Sequence, residues 1–199
     1  MRSQAPSLLP IFRSRHQADL LAWLYLHPDA EFQAIDLANR LGIPPSTLHR
    51  ELQRLIDAGL LRDRTVGRSR LLRAAVDHPA AEPLTRLLTV SFGPPAVVNE
   101  AFADVPGVEG LYVFGSWAAR YFGRPGAAPN DVDVLVVGSP ARADVYAAAD
   151  AAQERLALPV NPTIRTPQQW HDASDGLVRE IKASPYVTLI TPDAAPPTA

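Results

Sequence analysis

Asp131-Val132-Asp133, set directly ahead of Val134-Leu135-Val136-Val137, narrows the folds open to this chain more than any other stretch. The branched apolar residues predict a strand. In a strand, positions i and i+2 share a face, about 7 Å apart at ~3.3 Å per residue. Asp131 and Asp133 therefore project together while Val132 and Val134 enter the core. Upstream, the apolar run 111–114 is a second strand, broken by Gly115-Ser116 and followed by a short helix over 117–122 and a Gly/Pro-rich loop over 123–130. Two carboxylates on a rigid strand suit a hard divalent cation, Mg²⁺ (or Mn²⁺), which commonly keeps phosphate ligands. Gly115 lets a backbone approach a phosphate closely, and Ser116 sits where free N–H groups of the next helix can hold an anion. Together these features predict a site for a nucleoside triphosphate with its metal. Taken singly, Gly-Ser is an ordinary turn and the aspartates are solvated strand-edge charges.

The order strand, Gly115-Ser116, short helix, then Asp131-x-Asp133 on an apolar strand resembles the nucleotidyltransferase superfamily of DNA polymerase β, in its minimal, MNT-like branch. The resemblance covers residues 95–190. It implies an α/β domain with a mixed sheet, Asp131 and Asp133 as catalytic and metal-holding residues, and Gly115, Ser116 and Arg120 as nucleotide-binding residues. It also implies a third carboxylate on the following strand, where this chain has Asn161. An asparagine oxygen ligates a cation weakly, adds no charge and cannot act as a base. The loop between Ser116 and Asp131 is longer than the family's usual spacing, and Asn130 replaces its common serine. Trp117 is read as core in preference to a base-stacking platform.

At 199 residues the chain suits one large or two small domains, and 47% apolar content is globular. No apolar run approaches the ~18 residues needed to span a membrane, and residues 1–15 lack the apolar segment of a signal peptide, so a cytoplasmic protein is expected. Zero cysteines exclude disulfides and thiolate metal sites, and four of the five histidines, His16, His27, His49 and His78, do not pair at ligand spacing. The net charge of −2 hides an asymmetry, because residues 1–78 carry 11 Arg against 8 Asp/Glu. Between Arg40 and Arg73 the balance is 8 basic to 3 acidic, the footprint of a nucleic-acid partner.

That basic half has its own pattern. Helices are predicted over 14–26, over 31–41 with Ile35, Leu37, Ala38 and Leu41 as the apolar set, and over 44–57 with Ser46 as cap. Gly42 makes the tight turn between the last two. Leu48, Leu52, Leu55 and Ile56 form the buried stripe of the third, and the strands that follow meet at Val66-Gly67-Arg68-Ser69. Helix, helix, tight turn, helix and basic hairpin make a winged helix-turn-helix, and residues 13–76 resemble the ArsR/MarR-type repressors. The resemblance implies that Ser46, Thr47, His49, Arg50, Gln53 and Arg54 face duplex DNA, with His49 and Arg50 nearest base edges. It places Arg64, Arg68 and Arg70 of the wing at phosphates or the minor groove. A winged helix reused for protein contacts would leave the same arginines as a solvated face. Without cysteine or histidine clusters, metal-responsive repression is not expected.

The fold class expected is therefore α+β: a winged helix-turn-helix over 1–78, a connecting helix and linker over 79–94, a polymerase-β-like nucleotidyltransferase domain over 95–190 and a disordered tail over 191–199. In the second domain, helices are read over 96–102 and 141–158 and from 167 to 173, with strands over 110–114, 160–165 and 185–190. The leading function is a homodimeric DNA-binding transcriptional regulator whose second domain binds a Mg-nucleotide. The alternative is an active transferase that moves a nucleotidyl group to a protein or small hydroxylated acceptor. In the MNT branch that would be an antitoxin with a toxin partner. A third reading leaves both sites inactive.

Overall fold

The computed structural model describes residues 11–67, 69–126 and 129–191. Arg68 and the tail beyond Thr191 lie outside them. The chain forms two units that meet in sequence between Gly93 and Pro94.

The first unit runs α1 (Arg15–Leu26), β1 (Phe32–Gln33), α2 (Ala34–Leu41), α3 (Pro45–Asp57), β2 (Leu61–Val66), β3 (Ser69–Ala74) and α4 (Ala81–Phe92). Ser14 caps α1 by accepting from the Gln17 N–H at 3.2 Å, satisfying one of the donors that a helix start leaves free. Gly42, at φ +61, ends α2 in the left-handed conformation that glycine adopts without strain. Leu20, Leu24, Leu37, Leu48, Leu52, Leu61, Leu72 and Leu88 are almost fully buried in one core, each worth about 1.5–3 kcal/mol of transfer free energy. Tyr25 joins them and donates its hydroxyl to the Leu60 carbonyl at 2.7 Å.

Three readings of this half need correction. The second helix starts at Ala34 and not at residue 31, because Phe32 and Gln33 pair with Leu72 and Leu71 as a third strand of the wing sheet. Phe32 sets its ring edge-on to Trp23 with centroids 5.9 Å apart, so tertiary pairing outweighs local helix periodicity. Ile35 is 57% exposed, where periodicity had placed it inside. Ser46 is not the cap of α3: Pro44 holds the N-cap position, Pro45 is the first helical residue, and no side chain caps the end. The segment 79–94, expected as a connector, packs α4 on α1 and sends Ala81 and Leu88 into the core of the first unit.

The second unit runs α5 (Pro94–Phe102), β4 (Val108–Phe114), α6 (Gly115–Tyr121), β5 (Val132–Gly138), α7 (Arg142–Leu156), β6 (Val160–Arg165), α8 (Pro167–Asp172), α9 (Gly176–Ala183) and β7 (Val187–Ile190). Its sheet has the order β6-β5-β4-β7. β5 runs parallel to β6, and β4 is antiparallel to both β5 and β7, so the sheet is mixed as expected. Alternation divides its faces. Leu111, Val113, Val132, Val134 and Val136 pack with Val98 and Phe102 of α5 and with Val145 and Ala149 of α7. Tyr112, Leu135 and Val137 point the other way, into a cluster with Trp170, Ile181 and Tyr186. Asp133 shares the parity of Leu135 and Val137 and is half-buried on that second face. Helix α9, which the sequence reading did not assign, lines that face; Asp175 caps it by accepting from the Val178 N–H at 2.8 Å.

Candidate functional site

Parallel pairing sets Asp133 directly beside Asn161. Asp131 sits just ahead of β5, not within it. The Asn161 amide donates to Asp131 Oδ2 at 3.0 Å and reaches Asp133 Oδ1 at 3.5 Å, so the three side chains form one cluster. On the other side of β5, Phe114 pairs with Asp133, and the next residue, Gly115, turns the chain at φ +72. An ideal Cβ on Gly115 would overlap Asp133 Oδ2. Only a residue without a side chain allows the backbone this close to the carboxylate. Burial, and then the charge of Asp131, push the Asp133 carboxyl above its ordinary value, while the Asn161 hydrogen bond pulls it down.

Two hard oxygen donors crowded together suit a divalent cation, and the residues present fit one in part. Asp131 and Asp133 supply the charge, and Asn161 contributes an amide that now directs its N–H at them. Among the described residues no group of three or more Asp, Glu, His or Cys side chains gathers at ligand distance, so the third carboxylate of the resemblance is absent here. Ser116 is exposed at the second position of α6. Arg120 donates to the Arg124 carbonyl and packs where Gly126 leaves room, with its Nε buried and unpartnered. It braces the following turn. Trp117 is half-buried against the core of α5 and α7 and stacks on Tyr121 at 5.3 Å, in keeping with its reading as core.

In the first unit, α3 buries Leu48, Leu52 and Leu55 and presents Ser46, His49, Arg50, Gln53 and Arg54 to solvent, with Thr47 half-buried. Gln53 donates to Asp57 at 2.8 Å and Arg54 to Glu51 at 3.2 Å. The wing is less free than its sequence suggests. Arg64 makes a forked contact with Glu31, its Nε donating at 2.8 Å, and Arg70 Nε donates to Asp63 at 2.6 Å. The hydrogen bond from Arg64 holds the Glu31 carboxyl below its usual range. Sequence reasoning missed Glu31 and Glu51 as members of this surface. Glu31 joins from 33 positions away and left no local sign. Glu51 was legible, since it lies three positions after Leu48 and four before Leu55 on the buried stripe.

A helix-turn-helix with an antiparallel wing and an exposed polar row on α3 is the winged-helix arrangement, a form that DNA-binding domains use. Residues 13–69 match the family model described as MarR family. No curated protein and no solved structure matches the chain. Among the described residues no helix is long and apolar enough to cross a membrane.

Proposed function

We propose that the chain is a transcriptional regulator that binds duplex DNA as a homodimer, and that its second unit is a nucleotidyltransferase-like module holding a metal-bound nucleoside triphosphate. The observation that carries the first part is the exposed row Ser46, His49, Arg50, Gln53 and Arg54 on α3 of the MarR-matching segment. Arg50 and His49 reach base edges in the major groove, and two-fold symmetry matches two half-sites about 34 Å apart. The test is anisotropy titration of labelled duplex from the region upstream of the protein's own gene. Tight binding that falls with salt is expected; no binding at low salt defeats the reading.

The second part is supported by the apposition of Gly115 to Asp133 and by the clustering of Asp131, Asp133 and Asn161. Asp131 and Asp133 would hold the cation, which supplies positive charge opposite the phosphates. Gly115 gives the backbone close access, and Ser116 offers an exposed hydroxyl and N–H beside it. Operator affinity would depend on whether this site is filled. Thermal unfolding with Mg²⁺, Mn²⁺ and nucleoside triphosphates tests it, since a ligand that binds only the folded state raises the melting temperature.

The Asp131/Asp133 pair also supports a second reading, an enzyme that transfers a nucleotidyl group to a hydroxylated acceptor, with a toxin protein as one such acceptor. Asn161 weighs against it, because two carboxylates hold the metal near the attacking hydroxyl loosely and an amide takes no proton. Labelled ATP separates the readings. Slow or absent transfer that rises in Asn161→Asp with an acceptor present favours the enzyme. Robust wild-type transfer that Asn161→Asp abolishes refutes this account of the site.

A further inference from the structure

Glu51 lies inside α3, on the recognition helix itself, with its side chain only 7% exposed. Its Oε1 receives Arg54 of the same helix at 3.2 Å and also Arg13, which precedes α1 by two residues. Both arginine side chains are half-exposed, at 50% for Arg13 and 52% for Arg54. The other oxygen, Oε2, is buried with no partner. Two cations thus converge on one atom of one anion, leaving a net positive charge at the surface. Arg13 is also fixed through its backbone: its N–H donates to Gln17 Oε1 at 3.1 Å, and the neighbouring Phe12 ring meets Phe92 edge-on with centroids 6.0 Å apart.

From this geometry we propose that Arg13 and Arg54 form a two-pronged clamp for one DNA backbone phosphate, with buried Glu51 as the residue that positions both prongs. The inference rests on the DNA-binding reading of the first unit and adds to it a contact the α3 pattern cannot supply. Each guanidinium has five N–H donors in a planar fork. A single carboxylate oxygen occupies few of the ten, and the remainder are free for phosphate oxygens. Arg54 follows Arg50 by one helical turn, so both lie on the same face of α3. The clamp therefore adjoins the residue assigned to base edges. A contact of this type fixes register on the duplex and carries no sequence information.

Positioning and simple charge counting predict opposite results for Glu51→Gln. If Glu51 were only a negative charge near DNA, its removal would tighten binding and steepen the salt dependence. If it positions the clamp, Glu51→Gln weakens operator and random duplex alike despite the more positive protein. Arg13→Ala should weaken both duplexes about five- to tenfold and lower the slope of log K against log salt by part of the ~0.9 that one phosphate contributes, since Arg54 still holds it. Arg13→Lys keeps the charge without the fork and should fall between, with the wild-type slope. Circular dichroism and melting temperature verify that each full-length variant is folded. Wild-type affinity and slope in Arg13→Ala, or tighter binding in Glu51→Gln, overturn the clamp. Arg50→Ala, measured beside them, keeps the two failures apart. A wild-type protein that binds no duplex defeats the DNA-binding reading. A wild type that binds, loses base preference in Arg50→Ala and is unmoved by Arg13→Ala defeats the clamp alone.

Discussion

The two units treat charge in opposite ways. In the first, arginines that would face DNA are already engaged by carboxylates: Arg64 by Glu31, Arg70 by Asp63, Arg54 by Glu51. In the second, two carboxylates two positions apart share the amide of Asn161. Exposed ion pairs contribute little to stability because water and salt screen them. A phosphate can therefore exchange with Glu31 or Asp63 at small cost, and the first unit has a surface whose affinity is tuned down but not blocked. Among the described residues no ion pair to Asp131 or Asp133 offsets the carboxylate pair, so an added cation would relieve it directly.

The sharpest way to break this contrast is to fill the space that keeps the carboxylates accessible. Gly115 and Gly42 both have positive φ, at +72 and +61, but a Cβ meets Asp133 at the first and nothing within 4 Å at the second. Gly42→Ala should cost about 1 kcal/mol from backbone strain alone. Gly115→Ala should cost about 3 kcal/mol, strain plus overlap with a half-buried carboxylate. Urea unfolding measures both, and equal losses would mean that Gly115 does not guard the site. Asp131→Asn comes next. It relieves repulsion, so the ligand-free melting point should hold or rise. It should also remove the stabilisation by metal-nucleotide, which for wild type is about 2.7 kcal/mol at a hundred times Kd. An undiminished increment would place the ligand elsewhere.

Arg50→Ala should cost about 1–3 kcal/mol of discrimination at a single base position, read by competition between operator variants. The smallest effect belongs to the wing. Glu31→Gln frees Arg64 and should steepen the salt dependence of duplex binding by about one unit; an unchanged slope would mean that the pair does not compete with DNA. The same substitution should change the acid arm of the stability profile. Arg64 depresses the folded-state Glu31 carboxyl, so that contribution is full above the ordinary carboxylate range and is lost as pH falls through the depressed value.

What the sequence revealed, and what it hid, follows from the range of the interactions. The exposed polar face of α3 was legible because helical periodicity sets Arg50, Gln53 and Arg54 opposite the buried Leu48, Leu52 and Leu55. The Asp131–Asp133 pair was legible from strand alternation, and Asn161 entered only through the nucleotidyltransferase resemblance; the parallel pairing that sets it beside Asp133 was not readable from spacing. Features set by distant partners were not: Phe32 leaves the expected helix for a strand opposite Leu72, and Arg64 finds Glu31 across the wing. Helix α9 was missed for a different reason. Its Asp175 cap and the spacing of Leu177, Val178 and Ile181 were present, but its eight residues offer barely two turns of periodicity.

The pairing of β4 with β7 bears on how the second unit is made. β4 is the first strand of its sheet to leave the ribosome, yet Val113 waits for Val187 and Leu111 for Ile190. Until those residues emerge, the backbone edge of Leu111, Tyr112 and Val113 has no strand to close it, and such apolar edges recruit other chains. In the first unit the wait is shorter: β2 and β3 lie two residues apart in the sequence, and Phe32 of β1 waits only for Leu72 of β3. A ribosome stalled ahead of residue 187 would thus carry a winged helix able to fold beside a sheet prone to stick. Slow translation ahead of the last strand would prolong the exposure of that edge.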